Sequence, residues 1–345
     1  MTPKELLTDS YDFILADALI ATHPTHPRDH AKLLVYNRAT DETIHTYFYN
    51  LEKYIPKDCA LIFNDTKVIK ARLYGKKQSG GKIELLINRP LDAHTISVYI
   101  RGKVKVNTEI YFHDALIAKV TQLHDDGSRE VEFFLETTSH DALRFEELLP
   151  IIDKIGHVPL PPYIQRDDDK SDEAEYQSVF ARSEGAVAAP TASLHFTPEQ
   201  HERICKNHEH AYVTLHVGSG TFKPVDVEII TEHPMHSEYY DISDAAKELL
   251  DSKKPILSIG TTSTRTIEFY DKHGKVQKGE ANLFLHPLNK PTRVNHLLTN
   301  FHLPKSTLLM LVASFIGVDK TQELYKIAIK NNYRFYSYGD AMLIV

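Results

Sequence analysis

Five short stretches of this chain combine residue types that can hold or transform a small ligand. In the first, Glu184 to Thr197, small residues crowd together and run through Pro190-Thr191 into Leu194-His195-Phe196, directly before an expected helix cap. A wall of small side chains lets a ligand approach the backbone, and a helix start beside it favours anionic groups. The second, Leu215-His216-Val217-Gly218-Ser219-Gly220-Thr221-Phe222, is a strand end opening into a glycine loop, the usual ligand position in an α/β sheet. The third is Met235 to Tyr240, with His236 and Glu238. The fourth, Gly260-Thr261-Thr262-Ser263-Thr264-Arg265, offers hydroxyls and backbone amides to a carboxylate or a ribose at a strand-to-helix turn. The fifth, Thr299 to Thr307, sets Asn300, His302 and Lys305 before an apolar helix. The plain alternative for each is a packed turn or an ordinary helix cap.

The elements that must position these stretches are legible in outline. Lys32–Tyr36, Ala60–Asn64, Ala211–Val217, Pro255–Gly260 and Arg334–Tyr338 read as strands. Helices are expected from Thr197, where Pro198 and Gln200 complete a capping-box pattern, to about Asn207. Others are expected from Ser243 to about Lys253 and over Thr262–Tyr270, Ser306–Ile316 and Thr321–Asn331. Alternation of this kind predicts an α/β domain with a largely parallel sheet. From about residue 69 to 140 the character is instead all strand, with Lys82–Ile87, Thr95–Ile100, Glu109–Phe112 and Glu130–Leu135 separated by turn residues, and Glu146 to Ile152 is expected to return towards the first domain. The predicted fold is mixed α/β, built from both chain ends (1–68 and 150–345), with an inserted antiparallel β-barrel at 69–149. The acid-rich run Arg166–Glu175 reads as an exposed loop entering a helix.

Composition narrows the function classes. The chain has 345 residues, 42% hydrophobic and 25% charged, which suits two folded domains rather than disorder. No apolar tract reaches a membrane span and the first ten residues lack a secretory core, so the expected location is the cytoplasm, with no membrane partner. Two cysteines, Cys59 and Cys205, are too few for a disulfide framework or a four-thiolate zinc site. Despite 20 histidines there is no His-Glu-x-x-His, the nearest string being His201-Glu202-Arg203-Ile204-Cys205, so no metal is expected. A net charge of −7 argues against a general nucleic-acid coat, but Lys67, Lys70, Arg72, Lys76, Lys77 and Lys82 form one stretch without an acid. That stretch reads either as a nucleic-acid track or as a lysine-guarded strand edge. A methyltransferase would place a helix directly after the glycine loop, and Pro224 disfavours helix at Lys223.

Taken in order, the strings resemble the S-adenosylmethionine:tRNA ribosyltransferase-isomerase family of the queuosine pathway. The resemblance runs nearly end to end. It includes Tyr11-Asp12-Phe13, Phe63 to Ile69, Ala71-Arg72-Leu73, Gly80 to Glu84, Gly156 to Ile164, Glu184 to Thr197, Leu215 to Phe222, His236 to Tyr240, Gly260 to Ser263 with Arg265, Asn300 to Met310 and Tyr338 to Met342. The chain departs from the pattern at Ser193 and Ser219, in having no Trp, and in Pro287-Leu288 where Pro-Gly is usual.

The resemblance implies an α/β domain with an inserted barrel, and a monomer. It implies transfer and isomerisation of the ribosyl moiety of S-adenosylmethionine, consumed as a substrate, onto 7-aminomethyl-7-deazaguanine at the wobble position of tRNA. Within that chemistry, His195, His216 and His302 are the expected proton-transfer residues, because histidine titrates near neutrality and each lies in a ligand-like loop. Glu238 and Asp340 come second as bases. Thr191, Gly218, Gly220, Thr261, Thr262 and Arg265 are expected to bind the sulfonium nucleoside. Asn64, Asp65, Lys67, Lys70, Arg72, Lys76 and Lys77 are expected to contact tRNA, and Tyr163 to stack on a base. The rival readings are a tRNA methyltransferase, a non-catalytic RNA-binding module and a metal hydrolase.

Overall fold

The computed structural model describes residues 2–136, 141–222 and 224–345. The expectation about Lys223, and the end of the predicted barrel stretch at 137–140, lie outside the described residues. The chain divides into two compact units, which are described separately. The first comprises Met1–Thr66, Gln177–Ser183 and Ala189–Val345, and the second Lys67–Tyr176 with Glu184–Ala188.

The first unit is organised by a nine-stranded sheet. Across it run Lys278–Ala281, Glu238–Ile242, His210–Leu215, Ala60–Asn64, Ile256–Ile259, His296–Asn300, Ala341–Ile344, Lys32–Asn37 and Glu42–Tyr47. The four central strands from His210–Leu215 to His296–Asn300 are mutually parallel. Ala341–Ile344 then reverses direction against His296–Asn300 and pairs parallel with Lys32–Asn37. The sheet is therefore evenly mixed rather than largely parallel, because antiparallel pairings flank the parallel centre on both sides, those of Glu238–Ile242 and Lys278–Ala281 on one and of Ala341–Ile344 and Glu42–Tyr47 on the other.

Successive residues of a strand point to opposite faces, so a strand buried on both sides reads as an unbroken apolar run. Leu34, Leu297 and Met342 pack on one face with Leu309, Met310, Val312 and Tyr325. Leu33, Leu298 and Leu343 pack on the other with Phe48, Phe63, Phe196 and Ile204. Such burial carries no period-2 signal, which explains the one misplaced strand. The expected Arg334–Tyr338 strand is a turn with Tyr336 at φ 77°, and the strand is the wholly buried Ala341–Ile344.

The helices follow the expected caps. The Thr197 hydroxyl accepts the Gln200 N–H at 3.2 Å, and those of Ser243 and Ser306 cap Asp244–Asp251 and Thr307–Ile316. The capping box at Thr197 is only half formed, because the Gln200 side chain donates instead to the Phe48 carbonyl at 2.9 Å.

The second unit is a closed barrel of six antiparallel strands: Arg72–Lys77, Lys82–Pro90, Thr95–Arg101, Glu109–Tyr111, Leu116–Leu123 and Ser128–Leu135. Ile83, Leu85 and Ile87 alternate inward, as do Leu116, Ala118 and Val120. Closure removes the exposed edges of a small sheet. The helix Phe145–Ile155 buries Leu148 and Ile152 in the same core, so this unit extends beyond residue 149, as far as Tyr176. Within the acidic run Asp172 is fully buried rather than exposed, and Arg166 donates to both its oxygens at 2.6 and 2.7 Å.

Candidate active site

The polar loops of the first unit gather along one edge of the large sheet. The four parallel strands end there at Asn64, Leu215, Ile259 and Asn300, leading into Asp65, His216-Val217-Gly218, Gly260-Thr261-Thr262 and His302. Glu238 opens an antiparallel neighbour at the same edge, beside Leu215, and Asp340 directly precedes Ala341, which lies opposite Asn300. The carboxyl ends of parallel strands are where open α/β sheets bind ligands.

Glu238 and Arg265 form the strongest electrostatic feature. They are 2% and 5% exposed, and Arg265 Nη1 donates to Glu238 Oε2 at 2.6 Å. The other carboxylate oxygen accepts the Gly218 N–H at 3.0 Å and the Thr221 hydroxyl at 3.3 Å, with His236 Nε2 also at 3.3 Å. Burial opposes ionisation of this carboxyl, but the Arg265 charge, His236 and the Gly218 N–H outweigh it and hold its pKa at about 2. The glycine loop is thus tied to the sheet through one carboxylate. Gly220 lies so close to the His236 ring that a Cβ there would sit 2.8 Å from its Cγ, which accounts for glycine at that position. A four-residue 3-10 turn, Ser219–Phe222, follows the loop, and not the α-helix of a methyltransferase.

The turn into the helix Thr261–Lys272 begins at Gly260, whose φ of 94° is a left-handed conformation that favours glycine. Gly260 provides no side-chain cap, so the first-turn amides at Thr261 and Thr262 point out of the helix without one. The Thr262 hydroxyl accepts from Asn64 Nδ2 at 3.2 Å. Arg265 Nη2 is buried without a hydrogen-bond partner among the described residues. An orphaned guanidinium N–H and a bare helix start fit an anionic group such as an amino-acid carboxylate.

His195 closes the site from the 3-10 helix Thr191–His195. Its Nε2 lies 3.0 Å from Asn300 Oδ1. Asn300 Nδ2 donates to the carbonyls of Tyr336 and Ser337 at 2.9 and 3.1 Å, which fixes the orientation of the amide. Its Oδ1 can therefore only accept, so the proton of neutral His195 sits on Nε2 and Nδ1 carries the lone pair. Burial lowers the His195 pKa to about 4; the bond to Asn300 works against this, and the charges of Arg334 and Arg28 add to it. The ring also packs on Phe48, with centroids 4.9 Å apart.

His302 is held at Nε2 by the Thr299 hydroxyl at 2.8 Å and lowered to about 3 by burial. His216 is held at Nδ1 by the Thr66 hydroxyl at 2.8 Å, with its pKa lowered by burial against the opposing charges of Asp65 and Asp241. At neutral pH all three histidines are uncharged, which suits them to accept protons rather than to donate from an imidazolium.

Other expected site residues are engaged by the fold itself. Asn64 is fully buried, bridging the backbone of Leu215 to Thr262. Asp65 accepts the Thr214 hydroxyl at 2.7 Å and pairs with Arg182 at 3.4 Å. Asp340 takes the backbone N–H groups of Lys32 and Arg334 at 2.8 and 2.7 Å; burial raises its pKa against those bonds. It fastens the first long strand to the last.

Lys67, Lys70, Arg72, Lys76, Lys77 and Tyr163 belong to the second unit. The fold brings acids to part of this basic stretch: Lys67 pairs with Glu184 at 2.7 Å, Lys70 with Glu173 at 3.2 Å and Arg72 with Glu84 at 3.4 Å. Lys77 donates to the Lys103 carbonyl. Lys76 and Lys82 face each other across neighbouring strands and are exposed. Among the described residues no cluster of three or more His, Cys, Asp or Glu is arranged to hold a metal, and no helix is long and apolar enough to cross a membrane.

Such a fold and site define a family of RNA-modifying proteins when set beside known ones. Residues 8–344 match the family model described as "Queuosine biosynthesis protein". The chain is 72% identical over 345 residues, 100% of both chains, to the S-adenosylmethionine:tRNA ribosyltransferase-isomerase of Sulfurimonas denitrificans. It is 56% identical over 340 residues, 99% of each, to that of Aliarcobacter butzleri. The crystal structure of S-adenosylmethionine tRNA ribosyltransferase from Thermotoga maritima is similar at a TM-score of 0.53 and 31% identity, covering 97% of this chain and 100% of that one. This chain belongs to the queuosine biosynthesis protein family.

Proposed function

We propose that this chain transfers and isomerises the ribosyl moiety of S-adenosylmethionine onto 7-aminomethyl-7-deazaguanine at the wobble position of tRNA, giving epoxyqueuosine-tRNA with release of adenine and methionine. The full-length family match supports the reaction. The observation that supports this placement of the site is the gathering of Glu238, Arg265, His195 and Thr261 at one sheet edge. When bound, the sulfonium nucleoside supplies an acidified 5′-carbon and a departing adenine. The residues then divide the work. The first-turn amides at Thr261 and Thr262 and the free Arg265 N–H hold the methionyl carboxylate. Gly218 and Gly220, braced by Glu238, keep the loop close to it. His195 accepts a proton at Nδ1 while Asn300 holds the other proton at Nε2. Asn64 and Asp340 act as positioning residues. The wobble base lies in a single-stranded loop and is open to such a site. We read the protein as a cytoplasmic monomer that acts without a metal.

The test is product identity. Incubation with S-adenosylmethionine and tRNA carrying the 7-aminomethyl base should release adenine and methionine in equal amounts. S-adenosylhomocysteine in place of adenine would instead make it a methyltransferase.

Lys76 and Lys82 are the cations of the barrel best placed to meet phosphate. Like charges directly opposite on neighbouring strands are destabilising, and a phosphate between the two would relieve that repulsion. Changing both to Gln should weaken tRNA binding and reduce the slope of log affinity against log salt by about 2, since each phosphate contact contributes about 0.9. An unchanged slope would remove these residues from the tRNA contact surface.

A further inference from the structure

We infer that Tyr47 and Tyr49 form a stacking platform for unpaired bases of the RNA loop that presents the nucleotide to be modified. This rests on the reading of the chain as a tRNA-modifying enzyme. The two rings are stacked, with planes 9° apart and centroids at 5.5 Å, and they are 45% and 41% exposed. The His30 ring lies tilted against Tyr49, with centroids 5.2 Å apart. Single exposed aromatics are common on protein surfaces, but an exposed stacked pair offers an outer ring face on which a base can continue the stack.

Their setting ties them to the site. Phe48, between them in sequence, points the other way, is wholly buried and packs on His195. Its backbone is pinned on both sides, the N–H donating to the Ala31 carbonyl at 2.8 Å and the carbonyl accepting Gln200 Nε2. Tyr47 pairs with Lys32, whose N–H is bonded to Asp340, so the platform stands at the edge of the sheet where the parallel strands end. A rigid tripeptide thus places one ring against the proton-accepting histidine and two rings in solvent beside it. Arg28 donates to the Gln177 carbonyl at 3.3 Å and Arg334 pairs with Asp340 at 3.8 Å, so both guanidinium groups are held by the same unit. Exposed stacked aromatics suit single-stranded nucleic acid, because every base has a π-face.

The experiment uses the full chain. Tyr47→Ala/Tyr49→Ala should raise the KM for tRNA about tenfold or more, with kcat and the Kd for S-adenosylmethionine changed by less than about twofold. Tyr47→Phe/Tyr49→Phe, which keeps the rings, should retain the wild-type KM. The chain contains no Trp, so Tyr49→Trp introduces a single reporter. Its fluorescence should be quenched by an anticodon stem–loop RNA and not by a blunt duplex of equal length. An unchanged KM in the double Ala variant, or equal quenching by loop and duplex, overturns the platform. So does a dimer in sedimentation that the Ala changes dissociate, since the rings would then serve self-association. The reporter measurement needs no turnover. Absence of adenine release by the wild type would refute the reaction alone and leave the platform to be judged by quenching.

Discussion

Glu238→Gln should destabilise the protein by about 3–5 kcal/mol and abolish turnover, because it strands a buried guanidinium without its counter-charge. Arg265 is 5% exposed, and among the described residues its one ion pair is with Glu238. The amide that replaces the carboxylate also presents a donor where Glu238 now accepts from Gly218, Thr221 and Arg265. Urea unfolding measures the loss. Adding Arg265→Met to the Gln variant removes the stranded charge, so the double variant should recover part of the stability while remaining inactive. The acid limb gives an independent check. The Glu238 pKa is depressed from its ordinary 4.5 to about 2, so its stabilisation is complete above about pH 4.5 and is lost as pH falls towards 2. Wild-type stability should fall more steeply across that window than that of the Gln variant. A loss under about 1 kcal/mol in Glu238→Gln would show that the pair is not the brace of the glycine loop.

Much of this arrangement is legible in the sequence, and the exceptions share a cause. The glycine loop, the Gly260 turn and the caps at Thr197, Ser243 and Ser306 show in residue type because each depends on local backbone chemistry. Asn64, Asp65 and Asp340 stand out equally as polar residues beside apolar runs. Their partners Leu215, Thr214 and Lys32, however, are 151, 149 and 308 residues away. Nothing local separates a polar residue that meets a ligand from one that ties two strands together. The same limit hides the acids that neutralise Lys67, Lys70 and Arg72, since Glu184, Glu173 and Glu84 arrive through the fold. Phe48 escapes notice as a contact of His195 because an aromatic residue at a strand end is ordinary. Its signal lies in the flanking pair, since Tyr-Phe-Tyr at the end of an edge strand must turn two rings away from the core when it buries one.

His195→Ala should lower kcat by about 10²–10⁴, the range expected for a positioned proton acceptor, with a smaller change in the KM for either substrate. The pH profile distinguishes this role from a structural one. A histidine at its ordinary value of 6.5 would lose its acceptor lone pair as pH falls through 6.5. Burial lowers His195 to about 4, so it remains an acceptor across the neutral range. The kcat of the wild type should show no limb at 6.5 attributable to this ring, and should fall as pH approaches 4 and Nδ1 becomes protonated. Asn300 sets which nitrogen is available. Its amide is locked by two backbone carbonyls and holds the proton on Nε2, so Asn300→Ala should lower kcat with little change in S-adenosylmethionine binding. A smaller loss than that of His195→Ala is expected, because the ring is still present but spends time in the wrong tautomer. Turnover within about threefold of wild type in His195→Ala would pass the proton-accepting role to His216, whose Nδ1 is held by Thr66 and whose ring stacks on Tyr239. His302 is the weaker successor, since its ring lies buried against Thr299 and its pKa is lower still.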